Sequence, residues 1–161
     1  MRRIASGGIV VALVALVMVI SADSLSATAP TGTSANFTYR ATIGPTHFDS
    51  DDFKIFQKSN EDVVMRELTF APGGDSGWHS HPGPVYVLVI QGTLTNYQGD
   101  DPTCTGVQIG AGEGFTEPAL HVHIVRNEST TVPAVVVVTY LNVPVGGAFR
   151  IDAARPGNCP F

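Results

Sequence analysis

From Phe37 onward the chain is cut into short runs of β-type residues by glycines and prolines, and no stretch there sustains a helical apolar period. The runs are Phe37 to Ile43, Val63 to Ala71, Val85 to Ile90, Thr93 to Tyr97, Val107 to Ile109, His121 to Arg126, Ala134 to Leu141 and Ala148 to Ile151. Between them stand turn formers such as Pro72, Gly73 and Gly74, or Gly146 and Gly147. Many short strands at this spacing read as an all-β sandwich or barrel. A chain of 161 residues holds one such domain and not two. At 43% hydrophobic and 14% charged, it has material for a packed core and none of the bias of a disordered chain. The segment Ala134 to Thr139 is apolar almost throughout. It should be buried on both faces or lie against a second copy of the chain.

The start of the chain is a different kind of segment. Arg2 and Arg3 precede a mostly aliphatic run from Ile9 to Ile20, and small or polar residues follow it. Residues 1–29 therefore read as a secretory signal peptide, 30–36 as a linker and 37–161 as the β domain, because the apolar run is short for a membrane span. The expected location is secreted or extracytoplasmic, with a membrane anchor as the alternative if the leader is not cut. No membrane contact is expected after cleavage. The whole chain carries a formal charge of −5, and loss of Arg2 and Arg3 keeps it acidic. Without a basic patch to displace counterions, nucleic acid is excluded as a partner. Cys104 and Cys159 are the chain's two cysteines. In an oxidising compartment they are expected to pair.

Four of the five histidines stand in two tight pairs, His79 with His81 and His121 with His123. Residues two apart on a strand point to the same face, so each pair should project both imidazoles to one side. Two strands that brought such pairs together would gather nitrogen ligands for Zn, Fe, Mn, Ni or Cu.

The flanking residues make this more specific. Gly73 to Gly92 contains Gly73, His79, Ser80, His81 and Gly92 at the spacing of the first cupin motif, with Val85 where that motif has Glu. Gly112 to Asn127 contains Gly112, Pro118, His123 and Asn127 at the spacing of the second, with Leu120 in place of its second glycine. Together they cover residues 73–127, about a third of the chain. The chain thus resembles small single-domain bacterial cupins. The resemblance implies a jelly-roll-like barrel with one divalent transition metal held by His79, His81 and His123. It also implies a small-molecule ligand and pairing into homodimers. Val85 cannot bind a metal, so the family's fourth ligand is missing. A metal held by three neutral imidazoles keeps its full charge and should favour an anionic or chelating ligand. A metal-dependent oxygenase acting on a small organic molecule is one expectation, and a non-catalytic binding module with a degenerate site is the other. His121 is the first candidate for a general base, or for a further ligand. Glu113 and Glu117 are the nearest carboxylates in sequence that could replace the missing Glu, and both read as solvated loop residues.

Overall fold

The computed structural model describes residues 26–161, so the expected signal peptide lies almost wholly outside the described residues. The elements are all strands: β1 (Thr31–Ile43), β2 (Thr46–Asp49), β3 (Lys54–Gln57), β4 (Glu61–Asp75), β5 (His79–Ser80), β6 (Val85–Gln91), β7 (Thr93–Gln98), β8 (Val107–Gly110), β9 (Gly114–Glu117), β10 (His123–Arg126), β11 (Ala134–Val143) and β12 (Ile151–Asp152). No helix among the described residues is long and apolar enough to cross a membrane. Ten strands form one antiparallel sheet in the order β12-β5-β10-β4-β11-β6-β9, with β1 added to β4 and β7 and β8 continuing from β10. The sheet curls into a nearly closed jelly-roll barrel, while β2 and β3 form a separate hairpin.

Alternation along the long strands decides what faces inward. Val64, Leu68 and Phe70 of β4, Val85, Val87 and Val89 of β6, and Ala134, Val136 and Val138 of β11 fill the barrel. Burying a side chain of this kind stabilises the fold by about 1.5–3 kcal/mol. Strand β11 lies between β4 and β6, with Val136 opposite both Leu68 and Val89. Its other face, with Val135, Val137 and Thr139, is half-buried. The apolar run is therefore a central strand with one covered face and one partly open face.

The sheet begins earlier than expected. Residues 31–36, read as linker, belong to β1, which runs antiparallel to β4 from Thr31 opposite Asp75 to Ile43 opposite Glu61. Their hydroxyl and amide side chains suit an exposed strand. Thr33 Oγ1 donates to Asp75 O at 2.9 Å, and Asn36 Nδ2 donates to Glu67 Oε1 at 2.7 Å. Thr28 is also tied down, since its Oγ1 accepts from Trp78 N–H at 2.6 Å.

A second, smaller cluster forms outside the barrel from Trp78, Ile124 and Cys159, with Tyr97 and Phe161 against it. Trp78 turns away from His79, and its Nε1–H donates to Phe161 O at 3.0 Å. Cys104 and Cys159 form a disulfide with Cα atoms 5.3 Å apart. Asn127, fully buried, shapes a turn: its Nδ2 donates to the carbonyls of Phe70, Ala71 and Val132, and its Oδ1 accepts from Ser129 N–H.

Leu120 shows why the second motif has a glycine at its position. Its φ is 59°, a left-handed conformation that costs a residue with a Cβ about 1–2 kcal/mol. Its side chain is 68% exposed and packs on little. Leu120→Gly is expected to relieve that strain and stabilise the fold by up to about 1 kcal/mol, measured as a small rise in the urea midpoint.

Candidate metal centre

The site is assembled by strand pairing. On the β5–β10 pair, His79 lies directly opposite His123, and His81 follows just beyond the end of β5. The three rings approach closely, with centroids 4.7 Å apart for His79 and His81, 4.5 Å for His79 and His123, and 5.2 Å for His81 and His123. All three are buried, and one ligand atom from each lies within 4.8 Å of the others.

The far side of each ring is fixed by a backbone carbonyl. His79 Nδ1 bonds Gly77 O at 2.8 Å, His81 Nδ1 bonds Phe149 O at 2.7 Å, and His123 Nδ1 bonds His121 O at 2.9 Å. A carbonyl only accepts, so each Nδ1 carries a proton and each ring turns its Nε2 away from that carbonyl. Donation of the second ring N–H to a carbonyl is a recurring support of metal-binding histidines. Burial pushes the His79 imidazole down to about 2, with the neighbouring charges of His123, Arg150 and His81 adding to the effect. It is therefore neutral at any ordinary pH.

One residue departs from its sequence reading. Glu117, read as solvated, is the last residue of β9 and only 4% exposed. Its Oε2 lies 3.2 Å from His81 Nε2, and its Oε1 lies 3.1 Å from His123 Nε2. Burial by itself would raise its carboxyl, but the His123 and His81 imidazoles beside it outweigh burial and hold it well below the ordinary range. The reason for the departure is β9 itself. Gly114 to Glu117 pairs with β6, so Phe115 turns to the core and Glu117 to the histidines. The signal present in the sequence was the alternation of Phe115 with Glu117 just before Pro118. Glu113 is exposed as expected, and its Oε2 accepts from Gly110 N–H at 2.7 Å.

His121 also departs. It precedes β10, in a turn where its own N–H bonds Pro118 O, so the two-residue alternation of a strand does not reach it. Its Nε2 meets Asp100 Oδ2 at 3.0 Å near the surface, away from His123. It is neither a further ligand nor placed as a base for the pocket. His47 belongs to the separate hairpin, against Phe56, and Tyr86 is exposed outside the barrel.

The donor set fits a metal. Three buried imidazoles, each held through Nδ1 by a carbonyl, gather beside a buried carboxylate. His123 Nε2 is buried with no aligned hydrogen-bond partner, and orphaned buried nitrogens of this kind are rare. Three imidazoles suit Zn, Cu, Fe or Ni. Beside the histidines a cavity of about 140 Å³ opens along the barrel axis, lined by apolar Leu68, Phe70 and Val87 and by Tyr140, Arg66 and Arg150. Burial pushes the Tyr140 hydroxyl up to about 12, so it stays protonated.

A curled antiparallel barrel with a buried cluster of three histidines that could hold a metal is the class of protein that the fold and the site define. Residues 66–140 of this protein match the cupin domain family and read as a small cupin domain. None of the curated proteins matches it. Among solved structures, a polyketide cyclase from Streptomyces resistomycificus is similar at 18% identity, with a TM-score of 0.44 and 65% of each chain covered. An oxalate oxidase in complex with glycolate is 29% identical, with a TM-score of 0.41, over 50% of this chain and 42% of that one. A cupin domain from Bordetella pertussis Tohama I is 28% identical, with a TM-score of 0.42, over 60% of this chain and 94% of that one. The chain thus spans less than two thirds of the cyclase and of the oxidase.

Proposed function

We propose that this protein is an exported cupin that holds one divalent transition metal (Fe, Mn, Ni, Zn or Cu) through His79, His81 and His123 and admits a small organic molecule beside it. The observation that carries the reading is the convergence of three buried imidazoles whose ligand atoms lie within 4.8 Å of one another, each ring locked in place by a carbonyl on Nδ1. A metal bound there would supply a Lewis acid or an oxygen-activating centre, and the most concrete activity is that of an oxygenase. The chain's own residues set what can enter. Arg66 and Arg150 bring positive charge to the cavity wall, while Leu68, Phe70 and Val87 make its body apolar. A small molecule with one anionic end and an apolar remainder meets both demands.

Elemental analysis of the purified domain tests the reading. Near one equivalent of a single transition metal is expected, with most of it lost in His79→Ala. Metal at trace level after reconstitution with each candidate ion would sink it.

A second reading, a non-catalytic binding module, is favoured by the placement of His121, because the pocket then holds no free histidine base. His81→Ala separates the two. Ligand capture that needs no metal survives the substitution, whereas metal-dependent turnover disappears. Pairing of two copies belongs to the first reading as well, supported by the exposed Tyr86, Leu88 and Ile90 on the outer face of β6. Light scattering and N-terminal sequencing of the exported protein check pairing and export.

A further inference from the structure

We infer that Glu117 is the fourth protein ligand of the metal, in the role that the first cupin motif gives to a residue at position 85. The inference rests on the metal-binding reading and goes beyond it, because the family pattern assigns nothing to position 117. The juxtaposition comes from strand register. Val85 opens β6 and Glu117 closes β9, and the two are direct cross-strand partners. Directly opposed residues on an antiparallel pair have Cβ atoms about 4.5–5.5 Å apart and share one face. A carboxylate moved from one to the other stays on the barrel's inner face and changes its point of attachment by one strand. Val85 is fully buried in the space so released.

The side chain arrives beside two of the three histidines. Its two oxygens lie 3.2 and 3.1 Å from the Nε2 atoms of His81 and His123. The Nδ1 atoms of both rings are held by carbonyls, which leaves their Nε2 atoms turned to the carboxylate, and His123 Nε2 has no aligned partner. A buried carboxylate persists where it is paired or coordinates a metal. With Glu117 bound, the charge of the ion is reduced by one. The donor set also moves toward metals that accept oxygen, Mn and Fe, and away from Cu.

The test is a titration of the chelator-treated full domain with Mn²⁺ and with Co²⁺, the second followed by its visible absorption, in wild type, Glu117→Gln and the exchange variant Val85→Glu/Glu117→Val. Loss of groups that merely orient a ligand weakens metal sites 10–100-fold. Glu117→Gln is therefore expected to weaken Mn²⁺ by about 100-fold and to change the Co²⁺ band, while its metal-free form stays folded. The exchange variant should recover much of the affinity. Glu117→Gln with unchanged Mn²⁺ affinity and an unchanged Co²⁺ spectrum would overturn the inference and leave the three-histidine site standing. Wild type that takes up neither ion would instead overturn the metal reading beneath it.

Discussion

Transition metal added to chelator-treated protein is expected to raise the thermal unfolding midpoint by about 10 °C when free metal exceeds its dissociation constant about 1,000-fold. A ligand that binds only the folded state stabilises it by RT ln(1 + [L]/Kd), about 4 kcal/mol at that excess. For a domain of this size each kcal/mol moves the midpoint by about 2–4 °C. The structure argues that the full effect is available. The unfolded chain scatters His79, His81, Glu117 and His123 over a sequence separation of up to 44, whereas the fold gathers the three histidines within 4.8 Å. His79→Ala keeps the barrel strands and removes a ligand, so its shift should collapse while its metal-free midpoint changes little. Calorimetry with and without metal measures both. A wild-type midpoint indifferent to every candidate ion would mean that the three rings are satisfied without one.

How far the sequence reached depended on where strand alternation held. The barrel was legible because β4, β6 and β11 carry their apolar residues at every second position, bounded by glycine and proline turns. His79 and His81 flank a residue of β5, so reading them as one face was sound. The same rule failed at His121, because β10 starts only at His123 and the turn before it rotates the backbone through Leu120 at positive φ. Glu117 was lost for the opposite reason. Gly114 to Glu117 is a short strand lying between turn residues, with too few positions for alternation to stand out from loop composition. Whether a carboxylate there faces water or metal depends on the β6–β9 register, a long-range pairing that local pattern does not contain. The β2–β3 hairpin was missed as well. Its apolar residues Phe48, Ile55 and Phe56 are exposed and make no core stripe.

Removing the Cys104–Cys159 disulfide, as the double variant Cys104→Ser/Cys159→Ser, is expected to lower stability by roughly 4 kcal/mol and the midpoint by about 10 °C. The bridge spans a sequence separation of 55, and closing so long a loop removes much conformational freedom from the unfolded chain. The native contacts point the same way, because the bridge anchors the tail over Trp78. Phe161 stacks on the Trp78 indole with ring centroids 6.4 Å apart, and the Arg126 guanidinium lies 4.2 Å from the Phe161 ring centroid. Asn158 Nδ2 donates to Gln98 O at 3.3 Å. The consequence extends to the site, since Trp78 adjoins His79, and β5 is held on its outer side by β12, with Asp152 opposite His79. A loosened tail should therefore weaken metal retention by a smaller factor than any ligand substitution does. Chemical denaturation of the double variant, followed by metal titration of the folded protein, measures both effects. A midpoint equal to that of wild type would show that packing of Phe161 and Trp78 alone holds the tail, with the bridge contributing nothing to stability.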